Sequence, residues 1–185
     1  MKTTETQRQA YVDDGFLIVD DLFSEAEISE LEDDLLALAR GRYPCPQLEP
    51  LPEDMADAEA LSRILCIHQP HFLSPTIRRY TVHEHLATIL GDIVGAHLPA
   101  EWWDGSVKCM QSMFFAKGPG KPGQAWHQDE VYIPTRDRTL CGAWIAVDDA
   151  DEENGCLWVL PGSHRAGVLH PQRAHGKADF DGAEE

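Results

Sequence analysis

The chain is poor in positive charge and contains no long apolar run. Its 185 residues include 15 Lys and Arg against 32 Asp and Glu, which gives a net charge of -17. Because an acidic surface repels phosphate backbones and anionic membranes, we expect neither nucleic acids nor membranes as partners. No segment reaches the roughly 18 consecutive apolar residues that a transmembrane helix requires, so no membrane span is predicted.

Cysteine is also scarce, and its distribution argues against two common uses. The five cysteines are odd in number and widely spaced, without a C-x-x-C pair: Cys45, Cys66, Cys109, Cys141 and Cys156. This pattern disfavours both a disulfide framework and a zinc-finger site. Residues 1–10 are polar and lack the apolar core of a secretory signal. These features predict one soluble domain over residues 1–185, located in the reducing cytoplasm.

Residues 1–105 are predicted to be mainly helical. The clearest helix begins at Ser24, where Ser24 and Glu27 form an S-x-x-E capping box, and Gly41 ends it. An apolar stripe predicts its buried face: Ile28, Leu31, Leu35, Leu38 and Ala39. The other elements predicted here are a helix over Glu5–Asp13 ended by Gly15, strands over Phe16–Val19 and Leu61–Ile67, and a helix over Ile77–Leu90.

The residue pattern changes after residue 105, and residues 106–185 are predicted to form short strands joined by tight turns. The predicted strands are Val107–Ala116, the segment carrying Trp126–Asp129, Leu140–Val147 and Cys156–Leu160. Asn154-Gly155 and Pro161-Gly162 are strong turn signals. Helices followed by strands predict an α+β chain with a sandwich or barrel in its C-terminal part.

The segment Trp126-His127-Gln128-Asp129 offers a candidate metal site. Side chains two residues apart on a strand point to the same side, so His127 and Asp129 can reach one point. Such a pair supplies two-thirds of the 2-His-1-carboxylate triad of non-haem Fe(II) oxygenases. Two other histidine pairs, His68/His71 and His83/His85, lack this alignment and are interpreted as structural, since Pro70 interrupts the first and the second lies on a helix.

Four segments carry a resemblance to a known family. They are H-Q-D at His127–Asp129, A-W-I-A at residues 143–146, and N-G-C-L-W-V-L-P-G-S-H at residues 154–164, with D-G-F-L-I-V-D-D-L-F-S-E-A-E-I at residues 14–28 as a fourth match. In this order and spacing the chain resembles the phytanoyl-CoA dioxygenase family of Fe(II)- and 2-oxoglutarate-dependent oxygenases.

The resemblance implies a fold and an activity. The fold is a double-stranded β-helix, or jelly roll, with N-terminal helices packed on the sheet, of which residues 106–185 are the first half. The activity is hydroxylation of a small organic substrate with O2, Fe(II) and 2-oxoglutarate, which is converted to succinate and CO2. The iron is held by His127, Asp129 and a distal His.

The resemblance also assigns a co-substrate pocket. Met113, Gln128 and Trp144 match positions that line it, with Gln128 as a hydrogen-bond donor to a carboxylate. Ordinary core packing is an equally good interpretation of Met113 and Trp144, and Tyr132 is either a further carboxylate partner or a half-buried strand residue.

The distal His and the Arg that pairs with 2-oxoglutarate are expected beyond residue 185, so the chain is expected to be C-terminally truncated. A less favoured alternative takes His164, His170 or His175 as the third ligand. Two other functional classes remain open: a non-catalytic jelly-roll binding protein and a cupin-like metal enzyme.

Overall fold

The computed structural model describes residues 2–45 and 48–168, and beyond them the backbone of three short strands. The helices are α1 (Glu5–Asp14), α2 (Glu25–Ala39), α3 (Asp57–Ser62), α4 (Pro75–Tyr80) and α5 (Glu84–Ile93). The strands are β1 (Cys66–His68), β2 (Met113–Phe115), β3 (Gly123–Gln124), β4 (Arg173–Ala174), β5 (Phe180–Asp181) and β6 (Ala183–Glu184). Short 3-10 turns lie at Pro70–Phe72, Ala100–Trp102, Asp129–Val131 and Ser163–Ala166.

The two N-terminal helices confirm the sequence prediction closely. Helix α1 ends where Gly15 adopts φ 83°, a left-handed conformation that glycine reaches without steric cost. Helix α2 begins at the predicted capping box: the Ser24 side chain accepts from the Glu27 amide, and the Glu27 side chain accepts from the Ser24 amide. The helix end at Gly15 and the capping box at Ser24 each involve only a few adjacent residues. The local sequence is therefore sufficient to predict both.

The larger core cluster is built on the buried stripe of α2. Leu31, Leu38 and Ala39 are buried there, and Leu38 has 0% of its surface exposed. They pack with residues in or beside β1, α4 and β2: Ile64, Ile67, Ile77, Tyr80 and Ala116. A second cluster forms around Ile89, Ile93 and Val94 at the end of α5. The helices therefore provide most of the buried apolar surface in the described part of the chain.

The predicted strand over Phe16–Val19 is wrong, although the alternation behind it is real. Leu17 and Val19 pack against the second cluster, whereas Ile18 between them is 72% exposed. The segment is thus extended with one face inward, but it forms no ladder with another strand. Alternating apolar residues indicate that one face of a segment is buried. They do not show that another strand lies beside the segment to pair with it.

The predicted strands Leu140–Val147 and Cys156–Leu160 are also wrong, because neither segment pairs with another strand in the described part of the chain. Ile145 and Val147 pack against the larger core cluster, but Trp144 is 52% exposed and the segment is unpaired. The apolar side chains of 157–160 are all exposed. The turn between these two segments does form, since the Asp151 amide donates to Asn154 Oδ1 over 2.8 Å and Gly155 has φ 100°.

Two predicted strands are shorter in the structure, and one predicted helix is divided in two. The predicted strand Leu61–Ile67 reduces to β1 and Val107–Ala116 reduces to β2, which pair antiparallel with His68 opposite Met113. The helix predicted over Ile77–Leu90 is divided into α4 and α5. His83 leaves the helical conformation, with ψ 128°, where its Nε2 lies 3.2 Å from Glu27 Oε1.

Small ladders take the place of a large sheet. Besides the β1–β2 pair, β3 pairs parallel with β5, and β4 pairs antiparallel with β6. The α+β mixture is confirmed, whereas the jelly-roll core is not formed by the residues that the structure describes. None of the helices in the described ranges is long and apolar enough to cross a membrane.

The segment after α2, residues 44–56, contains four prolines and is held to that helix by one buried arginine. Arg40 donates from Nε to Asp57 Oδ1 over 3.1 Å and from a terminal nitrogen to the Met55 carbonyl over 2.7 Å. The Leu51 amide donates to the Arg40 carbonyl over 3.0 Å. These contacts make the described part of the segment a connector that is anchored at both ends.

The capping box of α2 predicts acid sensitivity. Hydrogen bonds from the Ser24 amide and hydroxyl, with a smaller contribution from His83, lower the pKa of Glu27 from 4.5 to about 2. A carboxyl whose pKa is lowered by folding stabilises the fold above its unfolded pKa, and this stabilisation is lost as the pH falls toward 2. Between pH 5 and pH 2 the denaturation midpoint of the unchanged protein should fall as Glu27 takes up a proton on unfolding. Glu27→Gln should make this fall less steep, by the contribution of about one titrating group. Glu32→Gln, an exposed change on the same helix, should leave that fall as in the unchanged protein, and equal curves for both variants would contradict the prediction.

Candidate metal centre

The His127–Asp129 pair lies just after β3, on a turn that differs from the predicted strand. Asp129 begins the 3-10 turn Asp129–Val131, and Gln128 before it is extended, with φ -116° and ψ 124°. The two side chains nevertheless converge, with His127 Nε2 3.4 Å from Asp129 Oδ1. The predicted strand was wrong here, but an extended residue between the two is enough to keep their side chains on one side.

The hydrogen bonding of His127 defines which nitrogen faces Asp129. Its Nδ1 lies 2.7 Å from the Ala125 carbonyl oxygen, which can only accept, so Nδ1 carries a proton. The other nitrogen, Nε2, therefore faces a carboxylate oxygen and needs a cation between the two. A proton supplies this by making an imidazolium–carboxylate pair, and a metal ion supplies it by taking both lone pairs.

The donor atoms also suit a divalent transition metal in type and spacing. Metal bonds of about 2.1 Å to nitrogen and oxygen, meeting at about 90–110°, place the two donors about 3.0–3.4 Å apart. The observed 3.4 Å lies at the upper end of this range. Neutral imidazole and carboxylate are the donors of mononuclear Fe(II) sites. The residues present therefore fit two positions of such a site.

Asp129 is held in its anionic form. Its hydrogen bond to His127 lowers the pKa of the carboxyl, against the opposing effect of burial, and the coulombic attraction of His127 acts in the same direction as the bond. The side chain of Asp129 is also accessible, because 60% of its surface is exposed. The carboxylate thus stays charged and reachable.

The loop that follows Asp129 is closed by its own side chains. Glu130 Oε1 accepts from the Thr135 amide over 2.6 Å, and Thr135 Oγ1 accepts from the Thr139 amide over 2.8 Å. The ring of Tyr132 meets the His127 imidazole edge-on, with centroids 6.0 Å apart. The sequence did not predict the contact between Glu130 and Thr135, and no known short-range motif with this spacing signals it.

The three residues predicted to line a co-substrate pocket have different surroundings. Met113 lies in β2, and its sulfur accepts from Gln111 Nε2 over 3.2 Å. Gln128 donates from Nε2 to the Gly167 carbonyl over 3.1 Å. Trp144 is half exposed on the unpaired segment before Val147. The structure thus brings together His127 and Asp129, whereas Met113 and Trp144 lie on separate segments.

The third ligand is not found in the described part of the chain. Across residues 2–45 and 48–168, no three His, Cys, Asp or Glu side chains are grouped so as to hold a metal ion. His164 instead lies against α1, where its Nε2 is 2.9 Å from the Val12 carbonyl oxygen. His170 and His175 lie outside the described residues.

The converging His-x-Asp pair matches two of the three ligands of the 2-His-1-carboxylate sites of non-haem Fe(II) oxygenases. A family model described as phytanoyl-CoA dioxygenase matches residues 11–185, and the chain therefore belongs to this family. Members of the family generally are Fe(II)- and 2-oxoglutarate-dependent dioxygenases with a cupin or jelly-roll fold.

Several curated proteins are similar to this chain. It is 33% identical to a phytanoyl-CoA dioxygenase of Arabidopsis thaliana over 103 residues, covering 55% of this chain and 33% of that protein. It is 39% identical to phytanoyl-CoA dioxygenase domain-containing protein 1 of Bos taurus, covering 55% and 32%. A homolog of the latter in Caenorhabditis elegans is 26% identical, covering 85% and 64%.

The chain therefore matches only about a third of the length of the first two relatives. No solved structure is significantly similar to it.

Proposed function

We propose that the chain is part of an Fe(II)- and 2-oxoglutarate-dependent dioxygenase that hydroxylates a small organic substrate. The observation that carries the proposal is the pair His127 Nε2 and Asp129 Oδ1, 3.4 Å apart, with the other imidazole nitrogen bonded to a carbonyl. Membership of the phytanoyl-CoA dioxygenase family supports the choice of metal and co-substrate.

Each side chain has a defined part in this proposal. The Ala125 carbonyl holds the Nδ1 proton of His127 and so keeps Nε2 available as a neutral donor. Asp129 provides a negative charge that offsets part of the charge of the ion. The loop closed by Glu130 and Thr135 fixes the turn on which Asp129 lies. When bound, Fe(II) with 2-oxoglutarate and O2 supplies the oxidation: one oxygen atom enters a substrate C–H bond, and the other enters succinate as CO2 leaves.

The co-substrate pocket is part of the proposal. Met113, Gln128 and Trp144 are proposed to line it, in keeping with the family resemblance. Gln128 is the residue between the two proposed ligands, and its amide donates to the Gly167 carbonyl over 3.1 Å. Because its backbone is extended, its side chain leaves on the side opposite to that of His127 and Asp129.

Metal and co-substrate binding by the chain itself tests the proposal. Anaerobic titration calorimetry should show one Fe(II) per chain, and 2-oxoglutarate should then bind to the iron-loaded protein and not to the iron-free one. Co-substrate binding that is the same with and without iron would overturn the assignment, as would binding of no iron.

A further inference from the structure

The segment from Gly162 to Gly167, called here the 162–167 clamp, joins helix α1 to the candidate metal centre. At one end it contacts the C-terminus of α1, and at the other its Gly167 carbonyl accepts from Gln128. We infer that His164 is a positioning residue, which fixes this clamp and thereby the residue between the two proposed iron ligands. The inference rests on the proposed function, because it assigns a role toward the same metal.

The clamp satisfies three successive carbonyls at the end of α1. His164 Nε2 donates to the Val12 carbonyl over 2.9 Å, and Arg165 Nε donates to the Asp13 carbonyl over 3.0 Å. The Gly162 amide donates to the Asp14 carbonyl over 2.8 Å. The last carbonyls of a helix have no partner within it and carry partial negative charge, so these donors match what the helix end lacks. The contacts of His164 and Arg165 join parts of the chain that are 152 residues apart in the sequence.

The imidazole of His164 also fits the backbone of Gly15. A Cβ at Gly15 would overlap the ring, and the φ of 83° is itself unfavourable for any residue with a side chain. Gly15 thus ends the helix and leaves the space in which His164 lies. Because a carbonyl can only accept, His164 Nε2 carries a proton in this contact and is not available as a metal ligand.

The other end of the clamp reaches the metal centre. Gly167 is buried and has φ 80°, and a Cβ there would lie 3.0 Å from a terminal nitrogen of Arg138. The Gly167 carbonyl accepts from Gln128 Nε2 over 3.1 Å. Gln128 is the single residue between His127 and Asp129. Its hydrogen bond to Gly167 therefore restrains the backbone that carries both proposed ligands. Helix α1 therefore restrains the centre through the chain His164, Gly167 and Gln128.

The inference is tested by a donor-rescue experiment on the full chain with Fe(II) alone as the probe. His164→Ala should weaken anaerobic Fe(II) binding by about tenfold, at the lower end of the roughly 10–100-fold typical of residues that orient metal ligands. His164→Gln places an amide N–H where Nε2–H lies, and should restore the affinity to within about twofold. Gly15→Ala, which displaces the imidazole without altering it, should weaken binding as His164→Ala does. Hydrogen exchange of the Tyr132 amide, which donates to the Asp129 carbonyl over 2.9 Å, should accelerate in the two weakened variants only.

The outcomes separate three explanations. If His164→Gln binds as weakly as His164→Ala while Gly15→Ala binds normally, His164 is itself a ligand and the inference is wrong. If all three variants bind like the unchanged chain, the clamp does not position the centre, and the inference is also wrong. Loss of iron binding in His127→Ala identifies the metal site independently of the clamp, so normal binding by that variant contradicts the proposed function and not the positioning role.

Discussion

Replacing His127 with alanine is expected to weaken Fe(II) binding by more than about 100-fold, a larger loss than the roughly 10–100-fold caused by altering residues that only orient a ligand. The imidazole supplies one of the two donor atoms found together, and alanine leaves Asp129 without a partner at 3.4 Å. Anaerobic calorimetric titration with Fe(II) measures the loss.

Two further variants make this result specific. His97→Ala removes an exposed imidazole that contacts the Asp137 carbonyl oxygen over 2.9 Å, and it should bind iron normally. Asp129→Asn keeps the shape of the other proposed ligand and removes its charge, so it should lose binding as His127→Ala does. Iron binding retained by both His127→Ala and Asp129→Asn would place the metal elsewhere.

The second large effect is expected in the core, at Leu38. This side chain has 0% of its surface exposed and lies in the middle of the larger core cluster. Leu38→Ala should lower the free energy of unfolding by about 2–5 kcal/mol, because burial is lost and a cavity remains. Denaturant unfolding followed by circular dichroism measures the change.

Leu35→Ala is the matched control on the same helix. Leu35 packs on the same cluster from a half-buried position, so its truncation removes less burial and leaves a more open space. We expect a clearly smaller loss of stability than for Leu38. Equal losses would show that α2 does not present its stripe to the core as the structure indicates.

The candidate centre depends on neighbours at two distances along the chain. Close neighbours shape it directly: the Ala125 carbonyl orients His127, and the bond from Thr135 to Glu130 closes the loop after Asp129. Distant neighbours hold it against the helices, through the bond from Gln128 to Gly167 and the clamp on α1. A substitution among the close neighbours should change the orientation of the His127 and Asp129 side chains. A substitution among the distant neighbours should change how firmly the backbone that carries them is held.

The sequence by itself determined the features that depend on a few adjacent residues. The capping box of Ser24 and Glu27 and the left-handed stop at Gly15 are formed by groups within one helical turn. The convergence of His127 and Asp129 likewise needs only one extended residue between them. The motif order from His127 to His164 was sufficient for the family, which the match over residues 11–185 confirms.

Only the tertiary structure decided which extended segments pair and which side chains serve the site from afar. Residues 16–19 and 140–147 have the alternation of strands, yet neither pairs in the described part of the chain. The contact of His164 with Gly15 and the hydrogen bond from Gln128 to Gly167 likewise could not be predicted from the sequence. The physical reason is that a ladder or a long-range hydrogen bond needs two segments to meet, and their meeting depends on the path of all the residues between them.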